Sequence, residues 1–186
     1  MAWTAIQSET PLVPDTLPAL KTCWYTGGQP HIYTAARFYL LQQSLQVALT
    51  IFERTPPAES RAGFAFGGIS GHLAVVFLAP DTARLALLDG QNPPASWPLA
   101  EQDAPPFEDA AFYTGQDEQG WYWGARLGIG PEWLEKAGIV PAPGATFGVA
   151  LAKYSTDSST LGLSFPLPPG AGPFEPSHFT ATTITR

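Results

Sequence analysis

At 186 residues the chain has the size of one large domain, and a chain of that length buries roughly 70% of its unfolded surface, enough for a single core drawn from residues 1–186. Apolar residues at 45% against charged residues at 13% exclude a disordered polymer, and 20 Pro and 18 Gly scattered between apolar runs are the pattern of many short strands joined by turns. A formal charge of −7 and a pI near 4.8 exclude the basic footprint that a nucleic-acid partner or an anionic membrane surface needs.

Met1 to Asp15 has neither the basic n-region nor the apolar h-region of a secretory signal, and no later run approaches the ~20 apolar residues of a membrane span. With Cys23 as its only cysteine the chain forms no internal disulfide, and these features together predict a soluble cytoplasmic protein. Pro11, Pro14 and Pro18 punctuate the first segment, which reads as an extended lead-in with one edge strand near Thr4 to Gln7. Cys23-Trp24-Tyr25, followed by Thr26-Gly27-Gly28-Gln29-Pro30, reads as an aromatic-bearing loop that serves recognition or plugs a core.

Thr34 to Leu40 and Leu45 to Glu53 form the clearest hairpin. Leu45, Val47, Leu49 and Ile51 alternate with Gln46, Ala48 and Thr50, and Arg37 falls on the more polar face between Tyr33 and Tyr39. Arg61 to Gly71 is Gly-rich, with Phe64 and Phe66 as its anchors, and His72 to Ala79 is apolar on both faces and so central. Arg84 to Leu88 returns, and Gln91 to Glu108, Pro-rich and polar around Trp97, Leu99 and Phe107, is a long loop.

Ala110 to Tyr154 carries the most concordant signals. Ala110 to Thr114 is β-prone, the stretch from Gly115 to Gly120 is a hairpin loop, and Trp121 to Ile129 returns. Trp121, Trp123, Ala125 and Leu127 then share a core face, opposite Tyr122, Gly124 and Arg126. Pro131 suits the first turn of a helix and Gly138 the left-handed position after it, which predicts a short helix over Pro131 to Ala137 anchored by Trp133 and Leu134. Phe147, Val149 and Leu151 alternate in the next strand and lead to Lys153, a cation where the core face ends. There a lysine snorkels to solvent or meets a ligand. Leu161 to Leu167 and His178 to Arg186 complete about ten short strands with one short helix, which predicts an all-β antiparallel β-sandwich. Trp121, Trp123, Phe147, Val149, Leu45, Val47, Leu49, Ile51, Val75 and Phe77 are expected to share one core.

Little in the chain points to catalysis. Ser70 in Gly68-Ile69-Ser70-Gly71-His72 misses the spacing of a nucleophile elbow, and His31, His72 and His178 are not spaced as metal ligands, so no catalytic residue and no metal are predicted. Asp117, Glu118 and Asp157 read as turn formers. Gly128-Ile129-Gly130 lacks the third glycine of a dinucleotide loop.

The order of motifs resembles the small bacterial proteins described as family-nine-like carbohydrate-binding, or DOMON-like, β-sandwiches. The resemblance rests on Leu17-Pro18-Ala19-Leu20 with Tyr25 and Pro30, on Phe52-Glu53-Arg54 followed by Pro56, on Trp121 to Leu134 with Gly144 and Lys153, and on Pro176-Ser177-His178-Phe179. The chain departs from that pattern where the family carries acidic residues in the strand equivalent to His72 to Ala79, where Ala150 replaces Asn and where Tyr154 replaces Cys. Some DOMON domains hold haem through a Met and a His; Met1 is the only methionine here, and no cofactor is expected.

The resemblance implies a non-catalytic protein that binds a saccharide on aromatic platforms with planar donors beside them. Trp24, Tyr25, Arg37, Trp97, Arg126 and Lys153 are the candidate ligand residues, and the Trp24 and Trp97 loops could meet at one end of the fold. A small glycan hydrolase or transferase and an interaction subunit without a small ligand are the alternatives. The oligomeric state is left open.

Overall fold

A computed structural model describes residues 3–27, 33–57, 60–68, 72–89, 107–154 and 160–186. Its strands are β1 (Trp3–Ser8), β2 (Leu20–Lys21), β3 (Trp24–Gly27), β4 (Tyr33–Leu41), β5 (Ser44–Glu53), β6 (Arg61–Gly67), β7 (His72–Ala79), β8 (Thr82–Asp89), β9 (Phe107–Asp117), β10 (Gly120–Ile129), β11 (Thr146–Tyr154), β12 (Thr160–Leu163) and β13 (Thr180–Thr185), with one α-helix, α1 (Pro131–Lys136), before β11.

The all-β composition with one short helix is as expected, but the antiparallel sandwich is not. The strands form one mixed, 13-stranded sheet in the order β8-β7-β6-β11-β13-β1-β4-β5-β10-β9, with β2, β3 and β12 branching from it. β1 makes the difference. It pairs parallel with β13 through Trp3 to Ile6 and then parallel with β4 through Gln7 and Ser8, so it crosses from one half of the sheet to the other. The expected edge strand is therefore a central one. Parallel partners drawn from opposite ends of the chain leave no hairpin turn between them, and the sequence pattern carries no trace of the pairing.

The sheet curls so that its halves face one another across a core. Phe38 of β4 lies 5.5 Å from Phe64 of β6 and 6.4 Å from Phe147 of β11, ring centre to ring centre. Leu45, Val47, Leu49, Ile51, Trp123, Ala125 and Leu127 face inward in the register that their alternation predicts. Two features of the expected core differ. Trp121 is half-buried and stands outside the cluster, and Val75 and Phe77 belong to a second cluster on the outer face of β6, β7 and β11. There Leu163, Phe165 and Phe174 of the C-terminal segment cover them, so β6 is buried on both faces. Its small residues, Ala62, Gly63, Ala65 and Gly67, suit a strand that lies between two packed layers.

The helix ends as predicted. Gly138 takes φ 74°, the Ile139 N–H donates to Leu134 O (2.8 Å) and the Gly138 N–H to Glu135 O (2.9 Å), a double bond pattern that closes the last turn. Leu134, Ala137 and Ile139 enter the core. Gly138→Ala is expected to cost about 1–2 kcal/mol, the penalty for a Cβ in the left-handed region, read as a lowered urea midpoint with an unchanged slope.

Candidate functional site

Two polar features stand out, one inside the curled sheet and one outside it. The inner one joins Glu53 at the end of β5 to Lys153 near the end of β11, on opposite halves. Lys153 Nζ lies 2.9 Å from Glu53 Oε1, and the residues are 0% and 3% exposed. The same carboxylate oxygen accepts the indole N–H of Trp123 (3.0 Å) and the hydroxyl of Ser60, while Lys153 also donates to the Tyr154 carbonyl. Burial lowers the Lys153 pKa because it disfavours the ammonium, and the Glu53 charge opposes that shift. Lys153 neither snorkels nor reaches a surface where a ligand could meet it; it closes the core from within. The resemblance rested in part on Glu53, Trp123 and Lys153, and the fold brings all of them to this one pair.

The outer feature is the face of β4, β5, β10 and β9 turned away from the core. The described residues of the lead-in, Pro11, Leu12 and Pro14, line part of it. Register places the side chains in rows across the strands. Tyr33, Phe52 and Tyr122 make an aromatic row, with ring centres 5.8 Å apart between Tyr33 and Phe52 and 6.3 Å between Phe52 and Tyr122. Thr50, Gly124 and Tyr113 make the next. The Tyr113 O–H donates to Leu49 O (2.6 Å), and with that proton committed the Thr50 hydroxyl donates to Tyr113 (2.8 Å). Burial raises the Tyr113 pKa; the Thr50 bond, Arg126 and Arg37 pull it the other way, which places both arginines within electrostatic reach of this phenol.

Arg37 and Arg126 form the third row. Both pair in register with Ala48, one from each side, so two guanidinium groups flank a methyl group. Beyond them come Tyr39, Gln46 and Asp109, and these three line a cavity of about 270 Å³ together with Arg37, Ala48 and Arg126. Tyr39 Oη accepts the Leu12 N–H (3.2 Å), which ties the lead-in to the cavity's rim. Arg37 Nε is closed from solvent and has no hydrogen-bond partner among the described residues.

The structure thus brings two of the expected ligand residues, Arg37 and Arg126, to one groove. Trp24 lies on β3, 51% exposed, and is not among the residues that line this cavity. Tyr25 is half-buried, with its hydroxyl donating to Thr22 O (3.1 Å). Trp97, and with it the expected meeting of the Trp24 and Trp97 loops, lies outside the described residues, as do His31 and Ser70. His72 is exposed, and His178 stacks on Phe165 with ring centres 5.9 Å apart. Among the described residues no group of three His, Cys, Asp or Glu could hold a metal ion, and no helix is long and apolar enough to cross a membrane. Tyr33, Phe52 and Tyr122 come from three strands, and only the strand register aligns them into one row, which no sequence pattern carries.

No family model and no curated protein matches the chain. Among solved structures, the chain is similar to a "putative carbohydrate-binding protein" from Bacteroides uniformis, with a TM-score of 0.59 and 9% identity over 91% of this chain and 87% of that one. At that identity the likeness is one of fold.

Proposed function

We propose that the chain is a non-catalytic saccharide-binding protein whose ligand lies along the outer face of β4, β5 and β10. The observation that carries this reading is the alignment of the Tyr33–Phe52–Tyr122 row with the Arg37–Arg126 row on one face. Sugars offer apolar C–H surfaces and many hydroxyls, and bind where flat aromatic surface stands beside planar hydrogen-bonding groups. Phe52 and Ala48 are four residues apart on β5, so the rows are about 13 Å apart, room for an oligosaccharide laid along the strands. The Bacteroides uniformis neighbour supports a sugar as the ligand. The convergence of Glu53, Trp123 and Lys153 supports grouping the chain with the family-nine-like, DOMON-like proteins. A glycoside hydrolase needs two carboxyl groups roughly 5–10 Å apart across the bond it breaks, and among the described residues the groove is lined by one, Asp109.

Screening the purified protein on a glycan array and titrating the hits tests the reading. Phe52→Ala and Tyr122→Ala, with folding followed by circular dichroism, are each expected to weaken binding by ~1–3 kcal/mol, the worth of one stacked ring. Folded variants of both that bind as tightly as the parent would sink this site, and Trp24→Ala in the same series shows whether β3 carries the ligand instead.

A further inference from the structure

We propose that the groove between Arg37 and Arg126 selects an acidic sugar, one bearing an isolated carboxylate or sulfate; this rests on the saccharide reading above and names the ligand's chemistry. β4 and β10 flank β5 at the ordinary strand spacing, so the backbones of the two arginines are about 10 Å apart with the Ala48 methyl between them as floor. Guanidinium groups leaning in from both walls can meet the same anion. A neutral sugar needs no second cation at that point, and a pair of like charges held together without an anion repels itself.

Neither arginine has a carboxylate partner among the described residues to draw off its charge, although Asp109 lines the same groove. Arg37 Nε has no acceptor among the described residues, so turning that guanidinium toward a ligand gives up none of their hydrogen bonds at that atom. Arg126 is exposed and keeps its donors in water. Planar forks of this kind fit the two oxygens of a carboxylate, or two of a sulfate, in bidentate fashion.

The surroundings also limit how much negative charge the ligand carries. Asp109 at the groove's end accepts sugar hydroxyls and repels a second anion, and the chain's net charge of −7 disfavours a densely charged polymer. A single acid group per bound sugar satisfies both arginines without meeting Asp109. At about 270 Å³ the groove lies just under the ~300–1,000 Å³ of drug-sized sites, a size suited to one terminal sugar ring with the rest of the chain running toward the aromatic row.

The test pairs each acidic glycan with its neutralised form: uronic- and sialic-acid-bearing oligosaccharides against their methyl esters, and singly sulfated oligosaccharides against the desulfated parents. The acids are expected to bind at least about tenfold more tightly, as charge-assisted hydrogen bonds require, with that preference shrinking in 0.5 M salt. Arg126→Gln, at an exposed position, and Arg37→Gln are expected to bring the ratio of acid to neutral affinity, measured within each variant, close to one. The carboxylate and sulfate arms show which acid is read. Equal binding of acids and neutral partners overturns the inference and leaves the saccharide reading standing, whereas no binding in any arm overturns both. A preference that survives both arginine variants in folded protein overturns the placement at this groove.

Discussion

Lys153→Met and Glu53→Gln are each expected to destabilise the protein by about 3–5 kcal/mol, while the double variant recovers most of that loss. The expectation follows from where the charges sit. Each is buried in the core between the halves of the sheet, and removing either takes from the other the opposite charge it faces at 2.9 Å. Glu53→Gln leaves an ammonium whose remaining acceptor among the described residues is the Tyr154 carbonyl, whereas Lys153→Met leaves a carboxylate that still holds the Trp123 and Ser60 bonds. The glutamine variant is therefore the more damaging of the two. Removing both charges removes both desolvation costs, and a coupling energy near zero in the double-mutant cycle would show that the pair does not act as a unit. The alkaline limb supplies a second check. Burial holds the Lys153 pKa below its ordinary value of 10.5, so the folded state binds this proton more weakly than the unfolded chain does. The stability tied to this group is thus fully present above pH 10.5 and falls away as pH drops through the lowered value. Tyr113 and Tyr154 run the other way: burial raises both above 10.0, and the stability they contribute below pH 10.0 is lost as pH rises through the raised values. Subtracting the stability of Lys153→Met from that of the parent at each pH cancels the tyrosines. The difference should rise with pH up to 10.5.

Alternation made much of this fold legible. Inward-facing Leu45, Val47, Leu49 and Ile51 and outward-facing Gln46, Ala48 and Thr50 occupy the faces that period two assigns them, and Arg37 and Arg126 follow from the same rule. Period two says which face a residue takes and nothing about which strand lies beside it. The placement of β1 between β13 and β4 depends on pairing between residues almost the full chain apart, and so does the joining of two expected layers into one sheet. The same gap explains Val75 and Phe77. They alternate in phase with each other, but the phase alone does not tell the inner face of β7 from an outer face that Phe165 and Phe174 cover. At the site, the arginines could be recognised singly because a cation among tyrosines breaks an apolar pattern. Their convergence on Ala48, and the lining-up of Tyr33, Phe52 and Tyr122, needed the register of three strands. Lys153 broke an apolar pattern in the same way and proved to face inward, since its partner Glu53 sits on a strand a hundred residues earlier.

The outer face depends on one glycine, and Gly124→Ala is expected to cost about 3 kcal/mol, the upper end of what overpacking ordinarily does. A Cβ at Gly124 would fall 1.9 Å from the Leu49 carbonyl oxygen and 2.7 Å from the Tyr113 hydroxyl, the same two atoms that hydrogen-bond each other. The ring of Tyr113 can swing out, at the cost of its bonds to Leu49 and Thr50. The Leu49 oxygen belongs to the backbone of the central strand of this half and can move only if β5 and β10 separate. Gly115, on edge strand β9, makes the comparison. A Cβ there would meet the ring of Tyr122 at 2.3 Å, but the atoms it meets are the far end of a side chain, so Gly115→Ala should cost under about 1 kcal/mol once that ring moves aside. Tyr113→Phe separates the two obstacles at Gly124: if the backbone oxygen dictates the glycine, Gly124→Ala with Tyr113→Phe remains as unstable as Gly124→Ala alone, and if the phenol dictates it, the double variant recovers. Chemical denaturation of the four proteins decides between these. The variants also bear on the groove, because Arg126 is two residues from Gly124 on β10 and pairs with Ala48 two residues from Thr50. Forcing β5 from β10 at Gly124 would splay the two arginines apart. Gly124→Ala is thus expected to weaken any ligand held between Arg37 and Arg126 even where it stays folded, whereas Gly115→Ala, which disturbs only Tyr122, should weaken stacking and leave the preference of those arginines intact.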